Sequence, residues 1–494
     1  MFGKNKKSGS KSTEVQEWSL DRPLLKFAGK DAWTIRDACA GTLIFGGTGS
    51  GKTTGSGQAI AMAMLRAGFG GLVLTVKSEE TDRWREYMER CGRSDDLIIF
   101  SPENEHRFNF LEYERRRSTR GGGSTGNIVR LFTTVMAVGE GGAKSGGDSA
   151  FWEKALKQLL RNILDALRLA DREMTLENMM KVVTSAPQSR EETESDEWKE
   201  RSYLFDTLAI ARERTTDEES LRTLRLTTGY WLDEFATVMD PRTRGNIVST
   251  FTTTVDGFMR GDLHKLFGTT LNITPEETLE GKVIVIDLPE KQFHELGKIA
   301  QIVWKTCWQR MLEETKRRPS TSRPVMLWID EAQNFITESE PFFLQTVREK
   351  KGCCVYLTQA ISNYLHALGP GHDATVESFL AVPSTKIFHC NSDPETNEWA
   401  ERVICENWSL NTTQNVADGD GKSPMQRFKE KQISISLSRS RMPRVFASEF
   451  GELKNGGPPD YVVGAILTQA GKRFASGEGN VVRLKFSQRP RIKQ

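Results

Sequence analysis

Gly46-Gly-Thr-Gly-Ser-Gly-Lys-Thr-Thr54 contains, from Gly46 to Thr53, a complete G-x-x-x-x-G-K-[ST] pattern. Gly46, Gly47, Gly49 and Gly51, with Thr48 and Ser50 between them, let consecutive backbone N–H groups turn inward and cradle an anion. A helix starting near Gly51 points its positive dipole end at the same charge. In such a loop Lys52 reaches the β- and γ-phosphates and the Thr53 hydroxyl holds Mg²⁺. The expected ligands are therefore ATP, or another nucleoside triphosphate, and Mg²⁺.

A second pattern supplies what a phosphate loop needs on a neighbouring strand. Met326-Leu-Trp-Ile-Asp330-Glu331 is an apolar run ending in two carboxylates. Asp330 is placed to anchor hydrated Mg²⁺, and Glu331 to polarise the attacking water. The competing run Val283-Ile-Val-Ile-Asp287 lacks the second carboxylate and reads as an ordinary sheet strand. Gln359 ends the strand that follows Asp330-Glu331; its amide either senses the γ-phosphate or faces water. Arg348, in Gln345-Thr-Val-Arg-Glu-Lys-Lys351, either reaches into a neighbouring subunit's site or is one cation of an exposed helix. His389 has no accompanying partner motif and reads as a core histidine.

These residues must be held by a parallel sheet. Thr42–Phe45, Gly70–Lys77, Leu97–Phe100, Lys282–Leu288, Val325–Asp330, Cys353–Thr358 and Thr385–His389 are apolar runs separated by helical stretches, which predicts an α/β fold with crossover helices. Lys431–Ser438 alternates like a half-exposed strand, and 461–467 and 481–486 suggest edge strands, whereas 411–430 reads as a polar loop. Residues 1–20 form a loose basic start, and 21–170 the first part of the sheet domain. Residues 171–235 read as an inserted all-helical domain carrying the acidic run Glu191–Glu197, and the sheet domain resumes over 236–494. The helix from Phe151 to Leu167 aligns Trp152, Leu156, Leu160, Ile163 and Leu167 on one face.

With 37% hydrophobic and 27% charged residues and a net charge of +2, the composition is that of a globular protein, so only local clusters speak of partners. The basic candidates for nucleic-acid contact, each of which reads equally as solvated surface charge, are Arg115–Arg120, Lys422–Lys431 and the tail Arg483–Lys493. No apolar run approaches the ~18 residues of a membrane span. The seven cysteines include no C-x-x-C pair, the pattern of thiols in a reducing compartment.

The phosphate loop, Phe108-Asn-Phe-Leu111, Phe151-Trp152, Asp330-Glu331 and Gln359 occur in an order that resembles the type IV secretion coupling proteins, the TraG/TraD-like branch of the FtsK–HerA group of DNA-pumping ATPases. The resemblance covers roughly residues 30 to 490. It implies a RecA-like phosphate-loop NTPase core with an inserted all-α domain, a hexameric ring with nucleotide at subunit interfaces, and DNA threaded through a basic channel. It also implies roles for Lys52 and Thr53 in the phosphate loop, Asp330 on magnesium, Glu331 in catalysis, Gln359 as sensor and Arg348 as interface arginine. Two departures stand out. Members of that family usually begin with transmembrane helices, and this sequence shows none; the expected location is cytoplasmic, with recruitment to the inner face of the membrane through an anchored partner. The family's aspartate-proline-lysine-glycine-glutamate motif is reduced to Lys77 and Glu79 in Thr75-Val-Lys77-Ser-Glu79. The function expected is ATP-driven DNA translocation in conjugation, with a relaxosome or other DNA-processing protein as partner. The alternatives are an ATP-dependent substrate receptor and a soluble HerA-like translocase working with a nuclease.

Overall fold

The computed structural model describes residues 18–27, 29–117, 125–139, 147–317, 321–417 and 432–489. The basic start (1–17), most of the glycine-rich loops at 118–124 and 140–146, the stretch Lys422–Lys431 and the tail end at 490–494 lie outside the described residues.

Pro23–Lys26 (β1) and Ala32–Thr34 (β2) make a small antiparallel pair. The main sheet is built from Thr42–Phe45 (β3), Gly70–Leu74 (β4), Leu97–Phe100 (β5), Val283–Ile286 (β6), Val325–Ile329 (β7), Gly352–Thr358 (β8) and Thr385–Phe388 (β9), paired in parallel. Glu406–Ala417 (β10) and Gln432–Pro443 (β11) form a separate hairpin. Val462–Gln469 (β12) and Val481–Ser487 (β13) then extend the main sheet antiparallel at one edge. The resulting nine-stranded order is β13-β12-β9-β3-β8-β7-β4-β6-β5.

Both faces of the parallel part of this sheet are covered, which is why its strands read as continuous apolar runs. Leu43, Phe45, Leu72, Leu74, Leu327, Ile329 and Tyr356 face one hydrophobic cluster. The residues between them, including Ile44, Val73, Met326, Trp328 and Val355, face the other. That period of two is what a pleated strand imposes when helices cover each side.

Among the described residues no strand lies between Phe100 and Val283, and helices fill the interval from Phe110 to Phe267. The bounds 171–235 expected for the inserted domain cover the middle of that stretch. Helix Gly147–Leu169, counted with the sheet domain in the sequence, contacts helices Leu176–Thr184, Tyr203–Arg214 and Glu218–Gly229. Leu156, Leu160, Ile163 and Leu167 are buried, as the face predicted. Phe108 anchors the junction by stacking on Trp304 at a centroid distance of 4.0 Å.

One expectation fails. Residues 411–417, read as polar loop, are half of the hairpin β10–β11, in register with 432–438. Trp408, Thr412, Ile435 and Leu437 are exposed, so polar and apolar side chains alike face water there and the alternation that marks a half-buried strand is blurred. No helix among the described residues is long and apolar enough to cross a membrane.

Candidate active site

The order β3-β8-β7 fixes the site before any side chain is considered. The phosphate loop leaves β3, Asp330 and Glu331 leave β7, and β8 between them delivers Gln359 to the same end of the sheet. Gly49 and Gly51 have φ of 75° and 81°, the left-handed region open to glycine. The loop is tied to the next strand by Gly47 N–H donating to the Cys390 carbonyl at 2.9 Å. Its helix opens with a wide turn over Thr53–Gly57, where Gly57 N–H donates to the Lys52 carbonyl at 2.9 Å. Among the described residues, the N–H groups of Thr48, Gly49, Gly51 and Lys52 find no acceptor, and the buried Ser50 hydroxyl has no partner. Unsatisfied donors gathered in one concavity fit a polyphosphate anion.

Opposite the loop, Glu331 takes φ 47° and ψ 54°, which turns its side chain back over Lys52. Lys52 Nζ lies 3.2 Å from Glu331 Oε1, with both side chains largely buried. Thr53 Oγ1 donates to Asp330 Oδ2 at 2.7 Å. Gln359 Nε2 donates to Glu331 Oε1 at 3.3 Å, Gln333 Nε2 donates to Glu331 Oε2 at 3.1 Å, and Thr48 Oγ1 donates to Gln359 Oε1 at 3.2 Å. The structure thus brings together Lys52, Thr53, Asp330, Glu331 and Gln359 from three strands.

The electrostatics divide the two carboxylates. Burial raises the Asp330 carboxyl above its ordinary range, against the pull of Lys52 and Thr53. Burial also acts on Glu331, but the Lys52 ammonium and hydrogen bonds from Gln333, Gln359 and Lys52 outweigh it and hold that carboxyl below the usual range. Glu331 is therefore ionised at neutral pH, the state a proton acceptor requires. A hydroxyl beside one buried carboxylate suits Mg²⁺, which keeps several waters and takes further ligands from phosphates. No cluster of three His, Cys, Asp or Glu ligands competes with it among the described residues.

A family model for type IV secretory system conjugative DNA transfer matches residues 4–370. The chain belongs to this family. No curated protein matches the chain. Among solved structures, the unbound bacterial conjugative coupling protein TrwBdeltaN70 aligns with a TM-score of 0.60 at 15% identity, over 94% of this chain and 88% of that one. TrwB in complex with the GTP analogue GDPNP aligns with a TM-score of 0.59 at 14% identity, over 96% and 91%. TrwB in complex with ADP and Mg²⁺ gives 0.57 at 14%, with the same coverage. At these identities the likeness shows the fold, a RecA-like phosphate-loop core with an all-α insertion.

The structure also locates Arg348 and the described parts of two basic runs. Arg348 is exposed at the start of the turn that precedes β8, whose far end carries Gln359. Seven residues of strand separate the two, roughly 20 Å at ~3.3 Å per residue. Arg348 and its own protomer's phosphate loop are therefore not brought together. Of the basic run from Arg115, Arg115 and Arg116 pair with Glu112, and buried Arg117 pairs with Glu114 and Glu314. Carboxylates three or four residues back on the same helix neutralise these cations. In the tail, Arg483 pairs with Glu449 at 2.7 Å and Arg489 stacks on Tyr461.

One further residue near the site, Glu80, was not singled out in the sequence. Glu80 is buried beyond β4, and burial together with the nearby Asp330 charge pushes its carboxyl up to about 8. The doubled glutamate after a buried strand was its only signal. His389 is a core histidine as expected, yet its Nε2 meets the Ser56 hydroxyl of the phosphate-loop helix at 2.7 Å. Its Nδ1 faces the Gly464 carbonyl at 3.0 Å, which can only accept, so the proton sits on Nδ1.

Proposed function

We propose that this chain is an ATP-driven DNA translocase of the conjugative coupling type, hydrolysing ATP at the interfaces of a ring. One observation carries the reading: Lys52, Thr53, Asp330, Glu331 and Gln359 meet within hydrogen-bonding distance at one end of the sheet. The phosphate loop from Gly46 to Thr54 binds the triphosphate, and Thr53 and Asp330 hold Mg²⁺, which neutralises phosphate charge when bound. Lys52 exchanges Glu331 for the β- and γ-phosphates. The freed carboxylate then takes the proton of the attacking water, and Gln359, bridging Thr48 and Glu331, senses the γ-phosphate.

Arg348 acts on a neighbouring copy. Its separation from its own loop, and its exposed side chain, support a role in completing the adjacent protomer's site. Hydrolysis then requires assembly, and DNA and a DNA-processing protein are the cargo. The test is phosphate release with and without DNA. Stimulation by DNA is expected; ATP turnover that DNA leaves unchanged would sink the translocase reading.

A further inference from the structure

Three consecutive residues at the start of the phosphate-loop helix reach two separate segments, the end of β7 and the C-terminal segment. Lys52 meets Glu331, Thr53 meets Asp330, and Thr54 Oγ1 accepts a hydrogen bond from Gln488 Nε2 at 2.7 Å. The first two contacts lie at the reacting end of the triphosphate. The third lies at the other end, where the nucleoside must leave the loop, and it comes from the C-terminal segment.

Several contacts build that segment into the site. Gln488 Oε1 accepts from Gly457 N–H at 2.7 Å, and Gln488 N–H donates to the Tyr461 carbonyl at 2.8 Å. Tyr461 N–H in turn donates to the Gly457 carbonyl at 2.8 Å, closing the turn 455–461. Val463 packs so closely on Gly51 that a Cβ there would collide with it, and the Asn455 carbonyl would lie 3.2 Å from that Cβ. Arg489 lies over the Tyr461 ring, 5.1 Å from its centroid, and donates to the Pro459 carbonyl at 2.8 Å. Both side chains are exposed, which leaves a flat π surface beside the mouth of the loop.

We propose that the turn 455–461 with Gln488 and Arg489 is the nucleoside subsite of the phosphate loop. Gln488 positions Thr54 and borders the ribose, and the stacked Tyr461–Arg489 pair takes a purine base on its open face. Stacking on a ring or guanidinium reads the base's face and not its edges. The subsite therefore adds affinity with little choice between adenine and guanine. It rests on the nucleotide reading proposed above.

The experiment compares ADP with inorganic pyrophosphate, both with Mg²⁺, by calorimetric titration of the full chain. The two ligands share the phosphate contacts and differ in the nucleoside. Arg489→Ala and Tyr461→Ala are expected to weaken ADP about tenfold and to leave pyrophosphate within about twofold. Tyr461→Phe, which keeps the ring, should bind ADP as the wild type does. Equal loss for both ligands, or no loss for either, would overturn the subsite. A wild-type chain that binds neither ligand overturns the nucleotide reading along with it. Intact selective ADP loss in a chain whose hydrolysis ignores DNA leaves the subsite standing and removes only the translocase.

Discussion

The two ends of β8 are built on opposite principles. At its C-terminal end the charged side chains are largely buried and paired: Glu331 alone receives Lys52, Gln333 and Gln359. At its N-terminal end Arg348 is exposed and makes no ion pair among the described residues. The base of the hairpin β10–β11 sits at that same end, where Arg444 donates to Asn480, and Asn480 accepts from Gln469 opposite Thr385. Trp408 and Leu437 of the hairpin are 62% and 69% exposed. One end gathers its charged side chains in buried contacts, whereas the other leaves a cation and large apolar side chains exposed.

The largest expected effect falls on the buried end. Glu331→Gln should lower hydrolysis by about 10³-fold while nucleotide affinity persists, because the amide keeps the side chain's size and one acceptor oxygen but cannot accept a proton. Joint loss of binding and turnover would instead make the Lys52–Glu331 pair a structural brace. Next, Arg348→Ala should reduce phosphate release by about 10²-fold or more. Mixing Glu331→Gln with Arg348→Ala subunits should restore turnover, since an intact Arg348 then meets an intact Glu331 across some interfaces. Two inert variants that stay inert when mixed would break the comparison.

A stability measurement sharpens it from another side. Burial pushes the His389 imidazole down to about 4 from an ordinary 6.5, with the Lys52 charge acting the same way and the Gly464 carbonyl opposing. The unfolded chain then binds more protons between those values, so stability is full above pH 6.5 and falls as pH drops toward 4, by about 3 kcal/mol. Denaturant unfolding of wild type and His389→Asn across that window should show the difference in slope; parallel curves would mean that burial does not hold the ring neutral. The smallest effect belongs to the exposed end. Trp408→Ala should change unfolding free energy by less than about 0.5 kcal/mol, whereas Phe45→Ala should cost about 3–5 kcal/mol.

The strands of the parallel sheet were legible because both faces are covered, which makes each a short uninterrupted apolar run. The hairpin β10–β11 was half missed for the converse reason, since its residues 411–417 lack an apolar face. The phosphate loop was legible because its chemistry is backbone chemistry over contiguous residues. Asp330 and Glu331 were legible as the polar end of a buried strand. The contact between Gln488 and Thr54 was not, because it joins residues 434 positions apart and neither carries a local signature.

The sequence by itself therefore determined the anion cradle, the carboxylate pair and the alternation of strands and helices, all of which follow from neighbouring residues. Only the tertiary structure decided the strand order that inserts β8 between the loop and the carboxylates. It also decided the approach of the C-terminal segment to Thr54 and the placing of Arg348 at the far end of the sheet. Those are matters of which elements pack side by side, set by burial across long sequence separations, which no local pattern encodes.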